Sequence, residues 1–277
     1  MKRIIAIALA LILVLPLYAC SASSASGVED GVLTVGMECA YAPYNWMQSD
    51  DSNGAVPISN VPGSYANGYD VMMAKRICEA NGWQLEIKKL DWDSLVPAVQ
   101  SGEIDCAIAG QSMTAERAQQ VDFAGPYIYA SIVCLVKADS PLANATGISQ
   151  LSGKCTSQRS TVWYDECLPQ LKNVTIKSAQ DSSGDMLMAL ETGVVDFVCT
   201  DMPTAQGAVI VYPDMKILTF AENDTFEVSD EEINIGISIR KGNTELLDAM
   251  NKVLSPMTAA DFDALMAEAV QIQPIGE

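Results

Sequence analysis

The apolar residues of the chain form two kinds of stretch: short continuous runs, and longer segments in which they recur at helical spacing. Short apolar runs, typical of buried strands, lie at 33–37, 85–89 and 104–109. Longer segments with helical spacing separate them, near 71–81 and 95–101. Strands that alternate with helices in this way are typical of parallel βαβ units. The pattern therefore predicts an α/β fold.

The second half of the chain repeats this plan. A strand is predicted near 154–157, a helix near 186–191 and a strand over 194–199. Segment 101–110 also aligns without a gap with segment 192–201, and each contains a helix end, a capping glycine, a strand and a turn. A chain of 277 residues is longer than one ordinary core of ~100–150 residues needs. We therefore expect two similar lobes.

Two apolar strands, at 132–137 and 233–240, are spaced as segments that cross between the lobes. The C-terminal segment 244–269 is amphipathic and is expected to pack back on the first lobe. Lobe two is then an insertion in lobe one. The predicted boundaries are 31–134 and 236–277 for lobe one, and 135–235 for lobe two.

Polar residues follow the predicted strands in both halves. In open α/β sheets, ligands bind beyond the carboxyl ends of the strands. Segments 110–114 and 200–202 are therefore expected to face each other across a cleft, together with the strand exits 36–41 and 157–161. The general similarity of all αβ units explains the repeated glycine and strand equally well, but it does not predict polar residues at both exits.

The N-terminal sequence predicts export. Two basic residues and an apolar run over 4–17 precede Leu17-Tyr18-Ala19-Cys20, and the run is shorter than the ~18 residues of a membrane-spanning helix. The site resembles the bacterial lipobox, in which the cysteine is lipidated. We expect residues 1–20 to be a lipoprotein signal ending at a lipidated Cys20, residues 21–30 to be a flexible tether, and the protein to be held at the extracytoplasmic face of the membrane. An ordinary signal peptide with a coincidental cysteine is the alternative.

Composition narrows the range of functions. The chain has no histidine, which removes the commonest general base, the histidine-dependent triads and most zinc sites. Without the signal, fourteen basic residues stand against thirty-five acidic ones, so the net charge is about −21 and nucleic acid is not expected as a partner. No metal, cofactor or catalytic residue is predicted. The remaining cysteines lack CxxC spacing and are expected to be small buried apolar residues, although Cys155 and Cys167 could pair.

One segment has the properties of an anion site. Thr114 is a natural N-cap for a helix that contains Arg117, whose planar guanidinium matches a carboxylate. Ser112 and the backbone of Gly110, which has no side chain to prevent close approach, complete the cradle. A solvated charge or a structural ion pair is the alternative for Arg117.

Four segments carry a family resemblance. They are Glu38-Cys39-Ala40-Tyr41-Ala42-Pro43-Tyr44, Gly68-Tyr69-Asp70, Ala109-Gly110-Gln111-Ser112-Met113-Thr114-Ala115-Glu116-Arg117 and Val121-Asp122-Phe123. Together they resemble the family 3 extracellular solute-binding proteins, which are the amino-acid receptors of ABC importers. The resemblance covers nearly all of the exported chain. It implies the two-lobed type II periplasmic-binding-protein fold with hinge strands and a central cleft, an amino acid as ligand, and an ABC permease as partner of a monomeric protein.

The resemblance also implies how the two ends of the ligand would bind. The α-carboxylate would bind Arg117, with Thr161 contributing from lobe two. The α-ammonium would bind Asp201, which ends its strand where a cation would complement it. An aspartate ahead of a helix is also a common N-cap, and that is the alternative for Asp201.

The ligand side chain is the least constrained part of this prediction. Tyr41 and Trp92 are expected to be flat pocket walls, with coverage of the core edge as the alternative for Trp92. Glu38 beside these aromatic faces favours a polar ligand, foremost a cationic or amide-bearing one. Arg159 stands where relatives usually carry glycine before Ser or Thr, and a cation in the pocket would instead favour an acidic or neutral ligand.

The resulting prediction is a transport receptor that binds a polar amino acid by cleft closure, and not an enzyme. A carboxylate-dependent, dehydratase-like enzyme on the same fold is one alternative, against which the absence of histidine counts. A ligand-sensing domain is another, and such a domain would be followed by a transmembrane helix.

Overall fold

The computed structural model describes residue 28 and residues 30–274. The strands are β1 (Val32–Met37), β2 (Ala40–Tyr41), β3 (Asn45–Gln48), β4 (Val56–Pro57), β5 (Tyr65–Asn67), β6 (Gln84–Lys89), β7 (Cys106–Ala107), β8 (Val121–Tyr129), β9 (Ile132–Lys137), β10 (Gly153–Thr156), β11 (Val174–Ile176), β12 (Phe197–Asp201), β13 (Met215–Leu218) and β14 (Asn234–Arg240). The helices are α1 (Tyr69–Asn81), α2 (Leu95–Ser101), α3 (Ala115–Ala118), α4 (Ser183–Glu191), α5 (Met202–Val211), α6 (Asp230–Ile233), α7 (Thr244–Leu254) and α8 (Ala259–Ile272).

The predicted lipidation site at Cys20 and most of the predicted tether lie outside the described residues. None of the helices in the described part of the chain has the length and apolarity of a membrane-spanning segment.

The first sheet has the strand order β6-β1-β7-β14-β8. β1 pairs in parallel with β6 and β7, whereas β14 is antiparallel to β7 and β8. α1 and α2 end at Gly82 and Gly102, whose φ angles of 72° and 79° are left-handed and favour glycine. The predicted alternation of strands and helices is confirmed here, although β7 is shorter than the predicted 104–109.

The second sheet has the order β11-β10-β12-β9-β13. β10 pairs in parallel with β11 and β12, and β9 is antiparallel to β12 and β13. α4 leads through Gly193 into β12, as α2 leads through Gly102 into β7. The repeated helix, glycine and strand therefore occupy corresponding places in the two sheets, and both strands end at the cleft.

The predicted lobe boundaries fall inside two strands. β9 pairs along its length with β12 and β13, so it lies wholly in the second sheet, and β14 lies wholly in the first. The chain crosses between the sheets before each of these strands. Segments 132–137 and 233–240 were predicted to cross between the lobes. Each is instead a strand paired inside one sheet, and the crossing comes just before it.

Peripheral elements cover the first sheet. The long polar loop after Tyr44 forms a small antiparallel sheet of order β2-β3-β5-β4. α7 buries Leu246, Met250 and Leu254, and α7 and α8 pack against β8, as predicted for the amphipathic C-terminal segment. α8 also reaches the second lobe, where Gln273 Nε2 donates to the Gly207 carbonyl of α5 at 3.0 Å.

The cysteines of the described chain are buried free thiols. They are Cys39, Cys78, Cys106, Cys134, Cys155, Cys167 and Cys199. Each lies in the apolar core, as predicted from their surroundings in the sequence, and no disulfide joins Cys155 to Cys167.

Candidate functional site

A small cavity lies where the carboxyl ends of β1, β7 and β12 approach the loop that follows β10. Its volume is about 10 Å³, enough for roughly one water molecule, and the two lobes are in direct contact around it. The wall consists of Tyr41, Trp92, Gly110, Ser112, Arg117, Ala130, Ile132, Gln158, Thr161, Val162, Trp163, Asp201, Glu232 and Ile235. All predicted ligand-binding residues except Glu38 are among them. A more open cavity of about 510 Å³ adjoins it and shares Trp92, Arg117 and Thr161.

Arg117 is held by main-chain oxygens from both lobes. Thr114 caps α3 by accepting from Arg117 N at 3.3 Å. The guanidinium donates to Ser112 O at 3.0 Å and to Ser160 O at 2.7 Å, and it lies 5.4 Å from the centre of the Trp92 ring. Burial lowers the pKa of Arg117 to about 10, so it stays charged at neutral pH. Among residues 30–274, no carboxylate makes an ion pair with Arg117, so the structural ion-pair alternative has no support here.

Asp201 is both the N-cap of a helix and a carboxylate on the cavity wall, the two roles considered for it. Its Oδ1 accepts from Thr204 N at 2.9 Å and thereby caps α5. Its Oδ2 accepts from Tyr44 OH at 2.8 Å and from Tyr41 OH at 3.1 Å, both in the first lobe. Burial raises the pKa of Asp201, and the hydrogen bonds to Thr204 and the tyrosines oppose that rise. Within the described chain, no cation pairs with this carboxylate.

Glu38 lies at the cleft but outside the cavity wall. It is 5% exposed, and Gln158 of the second lobe donates to its two oxygens at 3.2 and 3.4 Å. Burial raises the pKa of Glu38 to about 7, and the Gln158 hydrogen bond opposes this rise. Gln158 takes the place on the wall that was predicted for Glu38, so a ligand would meet the amide first.

The aromatic walls are positioned by packing within and between lobes. Tyr41 stacks on Tyr44 with ring centres 4.6 Å apart, and its edge meets Trp163 at 6.1 Å. Trp92 Nε1 donates to Ser160 O at 3.3 Å, so Trp92 does more than cover a core edge. Gly110 has φ +66°, and a Cβ there would lie 2.6 Å from the Tyr41 ring. Only glycine therefore lets this loop approach Tyr41.

The second-lobe loop differs in detail from its prediction. Thr161 Oγ1 donates to Gln158 O at 2.7 Å and accepts from Tyr164 N at 3.4 Å, so its hydroxyl stabilises its own loop. Arg159 is not on the cavity wall; it pairs with Asp181 and, at 3.6 Å, with Asp93 across the cleft mouth. The unusual backbone conformation is at Ser160, with φ +54°, rather than at Arg159.

Three side chains of the site were missing from the sequence-based prediction: Gln158 and Trp163 on the cavity wall, and Tyr44 behind the wall, stacked on Tyr41. Tyr44 belongs to the segment that carries the family resemblance, and Gln158 and Trp163 flank Thr161. Their proximity to Tyr41 and Thr161 in the sequence is the signal that could have found them. Within the described chain, no cluster of His, Cys, Asp or Glu has an arrangement that could hold a metal ion.

Comparison with known proteins identifies the family. Residues 33–268 match the sequence profile of the bacterial extracellular solute-binding proteins, family 3. The chain belongs to this family. The resemblance inferred from the sequence and the type II periplasmic-binding-protein fold are thereby confirmed.

Individual family members are similar over most of their length. The L-cystine-binding protein TcyJ of Escherichia coli K12 is 27% identical over 83% of this chain and 78% of its own. AbpA of Streptococcus pneumoniae, an amino acid ABC transporter substrate-binding protein bound to L-arginine, has a TM-score of 0.69 at 26% identity, covering 87% of this chain and 95% of that one. The ancestral amino-acid-binding protein AncCDT-1, a precursor of cyclohexadienyl dehydratase, has a TM-score of 0.68 at 26% identity over 87% and 96%.

Proposed function

We propose that the protein binds an α-amino acid with a polar side chain, foremost a cationic or amide-bearing one, and delivers it to an ABC permease. The observation that carries the proposal is the presence of Arg117 and Asp201 on the wall of one cavity. A buried zwitterion is tolerated only if both of its charges are met by partners. A guanidinium and a carboxylate, neither ion-paired within the described chain, meet this requirement for the α-carboxylate and the α-ammonium.

The surroundings of Glu38 support the choice of side chain. This acid is buried, and Gln158 is a neutral donor to it. A cationic or amide-bearing side chain offers N–H groups that can replace the amide of Gln158. Arg159, which argued for an acidic or neutral ligand, is directed toward Asp181 and Asp93 instead. AbpA, whose solved structure is bound to L-arginine, has a cationic ligand.

A panel of amino acids tests the proposal directly. Each common L-amino acid and L-cystine is added to the protein and the melting temperature is recorded. A ligand at about 100 times its dissociation constant adds roughly 2.7 kcal/mol of stability, which corresponds to a shift of several degrees. We expect the largest shifts with arginine, lysine, histidine or glutamine. A shift with glutamate, cystine or a branched aliphatic residue alone would contradict the Glu38 argument, and no shift with any amino acid would contradict the receptor proposal.

Cleft closure is part of the same proposal. Two crossings join lobes built on separate sheets, and such hinges allow closure around a ligand. The bound amino acid is expected to reduce the radius of gyration in solution scattering. Identical scattering curves with and without a saturating ligand would argue for a rigid scaffold.

We propose further that Cys20 is lipidated and holds the protein at the extracytoplasmic face of the membrane. A diacylglycerol group supplies two chains, enough for stable attachment where one is marginal. Cys20→Ala should abolish lipid labelling and give a protein that is released or remains unprocessed. Unchanged lipid labelling of this variant would refute the proposed anchor.

An enzyme is the second candidate, and the similarity to AncCDT-1, a precursor of a dehydratase, favours testing it. Glu38 has a raised pKa of about 7, which is suited to proton transfer near neutral pH. Turnover of a cyclohexadienyl substrate that is lost in Glu38→Gln would establish this function. Binding of an amino acid without turnover supports the receptor.

A further inference from the structure

Two of the loops on the lobe-one side of the cavity are held through main-chain N–H groups. The first loop contains Cys39 and leads to Tyr41, and the second contains Gly110. Cys39 N donates to Asn45 Oδ1 at 2.7 Å, and Gly110 N donates to Tyr127 OH at 2.9 Å. Both Cys39 and Gly110 have positive φ angles, of 54° and 66°, and lie beyond the ends of β1 and β7, so neither N–H takes part in strand pairing.

Both acceptors continue to the same carboxylate. Asn45 Nδ2 donates to Asp70 Oδ2 at 2.7 Å, and Tyr127 OH donates to Asp70 Oδ1 at 2.7 Å. Asp70 lies in the first turn of α1, is 0% exposed and forms no ion pair within residues 30–274. One buried acid therefore joins two cavity loops that are 71 positions apart in sequence at Cys39 and Gly110.

The hydrogen bonds around Asp70 match those of an ionised acid. In each arm the loop N–H donates to the middle side chain, which in turn donates to Asp70. In this arrangement the central group accepts on both sides and donates on neither, as a deprotonated carboxylate does. Burial raises the pKa of Asp70 to about 7, and the hydrogen bonds from Tyr127 and Asn45 oppose this rise.

We propose that Asp70 is a positioning residue for ligand binding, which fixes both lobe-one loops through Asn45 and Tyr127. The consequence for the ligand rests on the function proposed above. Gly110 packs against Tyr41, and Tyr41 OH donates to Asp201. A displaced Gly110 loop would therefore move the Tyr41 ring. The hydrogen bond from Tyr41 OH to Asp201, which is expected to bind the α-ammonium, would weaken as a result.

Two isosteric substitutions separate this role from ordinary core packing. Asn at position 70 has one acceptor oxygen and one N–H₂ group, so Asp70→Asn can accept on one side only. An N–H₂ group turned toward Asn45 faces another donor, and one turned toward Tyr127 leaves the Tyr127 hydroxyl without the carboxylate to which it donates. Tyr127→Phe removes only the hydroxyl and breaks only the Gly110 arm. Asp105→Asn is the matched control, because Asp105 is a partly buried acid of the same lobe that accepts from Thr34 N at 2.8 Å, at the opposite end of β7.

The experiment combines single-residue amide exchange, without ligand, with calorimetric titration of L-arginine. Asp70→Asn should accelerate exchange at Cys39 or Gly110 and weaken L-arginine binding about tenfold, the effect of losing one hydrogen bond of ordinary net strength. Tyr127→Phe should accelerate exchange at Gly110 but not at Cys39. If Asn at position 70 breaks the Gly110 arm, the Gly110 amide should exchange no faster in the double variant Asp70→Asn/Tyr127→Phe than in Tyr127→Phe alone. Asp105→Asn should leave both amides and the affinity unchanged.

The outcomes distinguish this proposal from the proposed function. Wild-type exchange at both amides in a folded Asp70→Asn protein would overturn the positioning role, whatever ligand binds. Uniform acceleration throughout lobe one would also overturn it, because that pattern indicates a general loss of stability. If Asp70→Asn does not fold, unchanged exchange of the Gly110 amide in Tyr127→Phe would overturn the positioning role. If the wild-type protein binds neither L-arginine nor any other amino acid, the proposed function fails while the exchange data still decide the role of Asp70.

Discussion

The two walls of the cleft are held in different ways. On the lobe-one side, the Gly110 loop is bonded to Tyr127 of its own lobe. On the lobe-two side, the loop over 158–161 directs much of its bonding across the cleft: Gln158 donates to Glu38, and Ser160 O accepts from Trp92 and Arg117. Lobe one thus carries a preformed half of the site, whereas the lobe-two loop contacts it only when the lobes meet.

This difference has a consequence for the charged residues. Arg117 donates to Ser160 O, and Asp201 accepts from Tyr41 and Tyr44. The groups proposed to hold the ends of the ligand are therefore the same groups that hold the lobes together. Ligand affinity and lobe closure should respond together to substitutions at these positions, and separately to substitutions elsewhere.

The largest effect is expected for Arg117→Ala. Loss of one member of a buried, hydrogen-bonded charge pair costs on the order of 2–5 kcal/mol, or roughly a thirty-fold to several-thousand-fold loss of affinity. Calorimetry with the amino acid identified in the panel measures it. Arg76→Ala on α1 is the control, because Arg76 is outside both cavities. Wild-type affinity in Arg117→Ala would refute the assignment of the α-carboxylate site.

Glu38→Gln should change the pH dependence of stability. The pKa of Glu38 is raised from 4.5 to about 7, mainly by burial, so its ionisation destabilises the folded protein. The favourable contribution of the protonated acid is complete below about pH 4.5 and is lost as the pH rises to about 7. The stability of Glu38→Gln relative to wild type should therefore increase by up to ~3 kcal/mol across this range.

Urea denaturation at several pH values measures this difference. Asp70 has a raised pKa in the same range, but it is present in both proteins, so its contribution is subtracted in the comparison. A difference between Glu38→Gln and wild type that is independent of pH would show that Glu38 is not a buried acid of this kind.

Tyr44→Phe should weaken amino-acid binding by ~1.5 kcal/mol, because it removes one of the two tyrosine hydroxyls that donate to Asp201. The stacked ring remains, so the shape of the wall is kept. Tyr212→Phe, at the far end of α5, is the control. Equal affinities of Tyr44→Phe and wild type would mean that the Tyr44 hydroxyl is not needed to orient Asp201.

The smallest effect is expected for Arg159→Ala. Its ion pairs with Asp181 and Asp93 are solvent-exposed, and such pairs contribute less than about 1 kcal/mol. The affinity of Arg159→Ala should differ from that of wild type by less than about fivefold. High salt should weaken the affinity of the wild-type protein, because it screens these ion pairs, but not that of the variant. A large gain in affinity for cationic ligands would instead place Arg159 in the pocket.

The residues at strand ends were predictable because of a general rule of sheet topology. Parallel strands in an α/β sheet end at the same edge, so Gly110 and Asp201 can be assigned to the cleft without knowing how the lobes are oriented. The N-caps Thr114 and Asp201 were predictable for a local reason, since each side chain accepts from an N–H three residues ahead.

Contacts between the lobes were not predictable from local pattern. The hydrogen bonds from Tyr44 to Asp201 and from Gln158 to Glu38 join residues 157 and 120 positions apart, and they depend on the relative orientation of two separate cores. The lobe boundaries were displaced for a related reason: an apolar strand has the same sequence pattern whichever sheet it joins. The left-handed backbone of Ser160 was also hidden, because serine gives no signal of positive φ.

The buried thiols make this protein suited to site-directed labelling. Thiolate is the reactive form of cysteine, and burial raises the pKa of Cys39 and Cys155 to about 12 and that of Cys78 to about 11. The native cysteines of the described chain should therefore remain unreactive toward maleimides at neutral pH. A single cysteine introduced at the exposed Asp93 would then carry a fluorophore at the mouth of the cleft, turning the protein into an optical reporter of its own ligand.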